Sequence, residues 1–134
     1  MKIIALAGIA VVTVALSGCP GDMRMSRSPD PHAPNITVAS GGYIVVDQEP
    51  IVVPKSEKDF VIVWQLPRDS VYTFPEDGIV VARGDDEFKC NLEGGRQRFT
   101  CRFRNSKPGI YKYTIKVMES TKLLEPLDPH IANG

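Results

Sequence analysis

The side chains able to do chemistry are few, and their spacing narrows what they can do. Cysteines stand at positions 19, 90 and 101. Cys90 and Cys101 are too far apart for a Cys-x-x-Cys redox pair, whose closeness tunes thiol acidity, so an oxidised structural pair is expected. The two histidines, His32 and His130, lie near opposite ends of the chain. With the thiols committed, no His/Cys set for zinc remains. A nucleophile–histidine–carboxylate triad needs a histidine locked by its surroundings, which a residue in a tail or tether rarely has. Acids cluster at Glu76-Asp77 and Asp85-Asp86-Glu87. Neither stretch has the alternating ligands of a calcium loop, and turns commonly carry Asp, so both read as solvated strand ends. No catalytic, metal-binding or cofactor-binding set emerges, and a non-enzyme is expected.

The basic residues give the one positive hint. From Phe88 to Met118, eight basic residues accompany a single acid, Glu93. From Asp47 to Glu87 the balance reverses, ten acids to four bases. Strand alternation places Arg98, Arg102 and Arg104 opposite Phe99, Cys101 and Phe103. It places Lys112 and Lys116 opposite Tyr111 and Tyr113. If the two segments are neighbours in one sheet, five cations share a solvent face suited to an acidic protein or an anionic envelope polymer. The planar fork of arginine makes the first three the best candidates for a carboxylate or phosphate contact. Over the whole chain 16 basic residues balance 16 acidic ones. That argues against a dedicated nucleic-acid binder, which carries a basic excess.

The elements that must position these residues read as strands. No segment after residue 35 sustains a 3.6-residue period, whereas several alternate with period two. The pattern predicts strands over 36–39, 43–46, 51–53, 60–66, 71–74, 79–82 and 111–117, separated by Gly-, Pro- and Asp-rich turns. A hairpin is expected in which Cys90 opposes Cys101, Leu92 opposes Phe99 and Phe88 opposes Phe103. Its loop is either Gly95-Arg96 or the longer Gly94–Gln97. The expected fold is all-β, a small antiparallel sandwich, with a small barrel as the alternative. Trp64, central in an early strand, is expected in the core.

The N-terminus carries an address. Lys2 is followed by Ile3–Leu16, 14 residues with only Thr13 polar. That is too short for a stable membrane span, which needs about 20 apolar residues. The layout is that of a secretory signal peptide. Leu16-Ser17-Gly18-Cys19 resembles the lipobox of bacterial lipoproteins, which implies a signal peptide over 1–18 and lipidation of Cys19. The next residue is Pro20 and not the aspartate associated with inner-membrane retention, so the resemblance implies the periplasmic face of the outer membrane. Residues 19–34, with four prolines, read as a lipidated cysteine and an extended disordered tether. Residues 35–134 form one β-domain with a Pro-containing C-terminal tail.

Gly109-Ile110-Tyr111-Lys112-Tyr113 resembles the tyrosine corner of immunoglobulin-like domains, with Tyr111 as the corner residue and Tyr113 where those domains often carry a cysteine. The resemblance implies architecture and no function. The expected role is therefore a non-catalytic envelope lipoprotein that binds another envelope protein or an anionic polymer. A second expectation is a periplasmic hydrolase inhibitor acting through the Cys90–Cys101 hairpin loop. The address has a direct check. Processing should be globomycin-sensitive, and Cys19→Ser should abolish lipid attachment and recovery in the membrane fraction. A Cys19→Ser chain that still bears lipid contradicts it.

Overall fold

Alternation along the chain translates directly into one buried and one outward face per strand. Phe60, Ile62 and Trp64 of β4 (Phe60–Gln65) are buried, while Val61, Val63 and Gln65 between them are partly exposed. In β8 (Arg98–Phe103) the buried residues are Phe99, Cys101 and Phe103. A computed structural model describes residues 29–84 and 86–134. The expected signal peptide and Cys19 lie outside the described residues.

The remaining strands are β1 (Ile36–Ala39), β2 (Tyr43–Val46), β3 (Ile51–Val53), β5 (Tyr72–Thr73), β6 (Ile79–Val81), β7 (Phe88–Leu92), β9 (Gly109–Ile115), β10 (Met118–Glu119), β11 (Lys122–Leu123) and β12 (His130–Asn133). One main sheet has the order β4-β8-β7, the other β3-β12-β9-β6. A β1-β2 hairpin and a short β11-β10-β5 sheet complete the fold. All pairings are antiparallel except β3 with β12. The orders β4-β8-β7 and β6-β9-β12 correspond to strands B-E-D and C-F-G of an immunoglobulin-like sandwich. None of these sheets closes on itself, so the barrel alternative is set aside.

The core lies between the two main sheets. Trp64 on β4 and Tyr113 on β9 are both 0% exposed, with ring centroids 5.3 Å apart. The Trp64 indole N–H donates to the Tyr113 hydroxyl at 3.3 Å. Around them pack Ile51, Val53, Ile62, Phe99, Phe103, Ile115 and Ile131. The tyrosine-corner reading is corrected in one respect: the buried, hydrogen-bonded tyrosine is Tyr113. Tyr111 is only half-buried and packs edge-on against Phe88 and Phe103.

The hairpin forms in the expected register, with Cys90 opposite Cys101 and the sulfurs 2.00 Å apart. By chain entropy a loop this short contributes on the order of 2–3 kcal/mol. The connection is the longer one, Gly94–Gln97, in which Gly95 and Arg96 adopt φ of 82° and 59°. Glycine carries the first without steric cost. The second is held by backbone donation from Phe74 to the Arg96 carbonyl at 2.7 Å.

Two boundaries differ from the sequence reading. The end of the expected tether lies along β4: Val63 N–H donates to the His32 carbonyl at 2.9 Å, and Gln65 N–H to that of Pro34 at 3.2 Å. The His32 ring stacks on Phe60 at 3.8 Å, and its Nδ1–H donates to the Val61 carbonyl at 2.7 Å. The folded unit thus includes 30–34, and the edge of β4 is covered instead of open. At the other end, the expected tail supplies β12, whose Ile131 is fully buried between β3 and β9.

Trp64→Ala should cost roughly 3–5 kcal/mol through lost burial and the cavity left behind. Chemical denaturation measures this directly. In the native protein, Trp64 fluorescence should be blue-shifted and closed to an aqueous quencher; red emission with free quencher access contradicts the packing.

Candidate functional site

The sheet partition decides where the sequence-predicted cations go. β8 pairs with β4 and β7, while β9 pairs with β12 and β6. Arg98, Arg102 and Arg104 therefore belong to one sheet, and Lys112 and Lys116 to the other. The expected single five-cation face does not form. The reason is the crossover between β8 and β9. Asn105 is completely buried at φ 56°, and its Nδ2 donates to the carbonyls of Pro54 at 2.9 Å and Glu57 at 2.7 Å. Those two residues belong to the segment that connects β3 to β4, so the two sheet-to-sheet connections are clipped together at the same end of the sandwich.

Three of the five cations have a carboxylate partner. Arg98 lies 3.4 Å from Glu93, Lys112 lies 3.8 Å from Asp128, and Lys116 lies 2.6 Å from Asp77. The Lys116 hydrogen bond and charge hold Asp77 below the usual carboxylate range. Lys112 on β9 and Lys116 just past its end are thus both paired, beside the exposed Ile110.

The β4-β8-β7 face is different. Its outward positions run in rows across the strands. Gln65, Arg98 and Glu93 form the first row; Val63, Thr100 and Asn91 the second; and Val61, Arg102 and Lys89 the third. The Thr100 hydroxyl donates to Glu93 at 2.5 Å, which turns that carboxylate to the first two rows. In the third row Lys89 stands directly opposite Arg102, and both are exposed. Among the described residues neither has a carboxylate within 4 Å. Like charges directly opposite one another on a sheet are destabilising. Exposed Arg104 continues the same side of β8. Lys89 was not among the candidates from sequence, although the cysteine register that pairs 90 with 101 already pairs 89 with 102.

Glu87 corrects the solvated-turn reading. It is 5% exposed, and both the backbone N–H and the hydroxyl of Ser106 donate to its carboxylate. Burial alone raises its pKa; the Ser106 bonds and the charges of Arg104 and Lys107 outweigh it and lower it overall. The hairpin loop is also tied down. Gln97 Nε2 donates to the carbonyls of Tyr72 at 3.0 Å and Pro67 at 3.1 Å, and Leu66 N–H donates to the Gln97 carbonyl. The loop expected to plug a hydrolase is thus fastened along the 66–74 segment, with its Gly94-Gly95 tip open.

His130 donates its backbone N–H to Glu49 at 3.1 Å, and its Nδ1 lies 3.2 Å from the same carboxylate. Among the described residues no group of His, Cys, Asp and Glu is placed to hold a metal ion. No helix among them is long and apolar enough to cross a membrane. Comparison with known protein families and with curated proteins finds no match to this chain.

Glu87 should leave a pH signature. Its lowered carboxyl contributes stability above the ordinary value of 4.5, and this is lost as pH falls through the lower folded value. Glu87→Gln should cost about 1–2 kcal/mol near neutral pH and flatten the acid limb of the stability profile. An unchanged profile in that variant removes Glu87 as the clamp on Ser106.

Proposed function

We propose that this chain is a non-catalytic lipoprotein of the bacterial envelope whose β4-β8-β7 face binds an anionic partner, an acidic envelope protein or polymer. The observation that carries the reading is Lys89 opposite Arg102. The fold sustains this like-charge pair on an exposed face, while it pairs Arg98, Lys112 and Lys116 internally. A partner carboxylate, phosphate or sulfate set across the two strands would relieve that repulsion and accept the arginine fork bidentately. Arg104 extends the contact along β8, two residues or about 7 Å further on. Association through such a face gains mainly in on-rate, and salt weakens it.

The lipobox-like Leu16-Ser17-Gly18-Cys19 supports a lipid anchor, and Pro20 supports the periplasmic face of the outer membrane. Because residues 30–34 dock on β4, the leash from Cys19 to Pro29 reaches at most roughly 35 Å. It enters the sandwich at the β4 edge of the sheet that carries the cations.

Lys89→Glu combined with Arg102→Glu should abolish retention on an anionic polysaccharide resin and recovery of the partner from detergent-solubilised envelopes. The thermal midpoint should stay about the same, since two glutamates abreast repel much as the two cations do. Lys112→Glu combined with Lys116→Glu should leave retention intact. If the first pair of changes has no effect on retention, this face is not the binding surface.

A further inference from the structure

Three of the four outer edges of the main sheets are blunted. Residues 30–34 cover β4, β3 is three residues flanked by Pro50 and Pro54, and β6 is also three residues. The fourth edge, β7, has five residues and no proline, and among the described residues no strand lies on its outer side. Arg104 N–H donates to the Glu87 carbonyl at 2.8 Å, and Glu93 N–H to the Arg98 carbonyl at 3.0 Å. By antiparallel alternation the positions bonded to β8 are therefore 87, 89, 91 and 93. The N–H and C=O of Cys90 and Leu92 point the other way, off the sheet edge. On that side the Phe88 N–H is taken by the Gly84 carbonyl at 2.7 Å, but nothing among the described residues reaches the groups of Cys90 and Leu92. Such a row is a template for one more strand.

We propose that this strand is β7 of a second copy of the chain, paired antiparallel about a two-fold axis that sets Asn91 opposite its own counterpart. In that register Cys90 faces Leu92 of the second copy, and each such pair exchanges both backbone bonds, so every free group on the two edges is met. On the outward face Lys89 stands opposite Glu93 of the second copy, and Glu93 opposite Lys89 of the second copy. Within its own chain Lys89 has Arg102 across from it and, among the described residues, no carboxylate within 4 Å. Cross-strand pairs of opposite charge stabilise a sheet, and here the match is reciprocal, as an isologous contact requires. Moving the axis to Cys90 would call on the occupied Phe88 N–H and would set Lys89 against Asn91. The half-buried Leu92 of the second copy points to the same side as Cys90. That side holds the groove of about 170 Å³ lined by Ile79, Val80, Val81 and Phe88. The axis is perpendicular to the sheet, so the two β4-β8-β7 faces lie side by side in one six-stranded sheet. This pairing needs no anion and stands apart from the anion-binding reading.

The test is sedimentation equilibrium of the full chain in density-matched detergent, across a concentration series with no anionic ligand present. The unaltered chain should reach the mass of two copies and dissociate on dilution. Asn91 is exposed, so Asn91→Asp and Asn91→Lys should each leave the thermal midpoint of the dilute chain unmoved. Each places like charges across the axis and should weaken self-association about tenfold or more. An equimolar mixture of the two variants sets opposite charges across the axis and should restore association. A mass of one copy at every concentration overturns the proposal. So does undiminished association in either variant alone, or a mixture that associates no more tightly than its components.

Discussion

The contact between Trp64 and Tyr113 is the constraint on which the rest of the sandwich depends. Each side chain brings a large ring and one polar group into a dry interior, and each polar group would be costly there alone. The indole N–H and the phenol oxygen meet each other, so the two sheets are joined by their largest side chains at one point. Burial keeps the Tyr113 hydroxyl protonated far beyond the usual phenol range, so the contact does not titrate under physiological conditions. Once β4 and β9 face each other in this way, their partners are fixed. β8 and β7 extend the Trp64 sheet, and β12 and β6 extend the Tyr113 sheet. Every outward-pointing charge is assigned to one side or the other by that choice.

Much of this was legible in the sequence because the strands obey a strict local rule. Alternation located β1 to β9, and in the hairpin the cysteines and phenylalanines set the register before any long-range contact was known. Four things were not legible. β10 and β11 are two residues each, too short for alternation to show. β12 is a short strand of His130, Ile131, Ala132 and Asn133, with one large apolar residue and prolines ahead of it. Burial on both sides, between β3 and β9, makes it a strand, and no local pattern announces that. Residues 30–34 are polar and proline-rich, and they are ordered by backbone bonds to β4 and by the stack of His32 on Phe60, which leave no periodic trace. The partition of strands between sheets is also non-local, and the fold divides the face that neighbouring β8 and β9 would make. Asn105 shows why: a buried carboxamide in a crossover looks like any other turn residue until its acceptors, 48 and 51 residues away, are in place.

The division of the cations gives the surface its asymmetry. Lys112 on β9 and Lys116 just after it each have an acid from a neighbouring segment, and such exposed pairs contribute little to stability while neutralising the local field. On β8 the carboxylate of Glu93 serves Arg98 and Thr100, and the row of Lys89 and Arg102 is left to repel. Among the five cations singled out from the sequence, three are paired with carboxylates, whereas Arg102 stands abreast of a second cation, Lys89, on an exposed face; the proposed anion docking rests on that difference.

Chemical-shift mapping on the isotope-labelled domain, with an anionic polysaccharide as the titrant, tests that claim most directly. The account predicts perturbations centred on Lys89 and Arg102, extending to Arg104 along β8, with Lys112 and Lys116 unmoved and the whole effect fading as salt is raised. Perturbations centred on β9, or equal on the two outer faces, would contradict it.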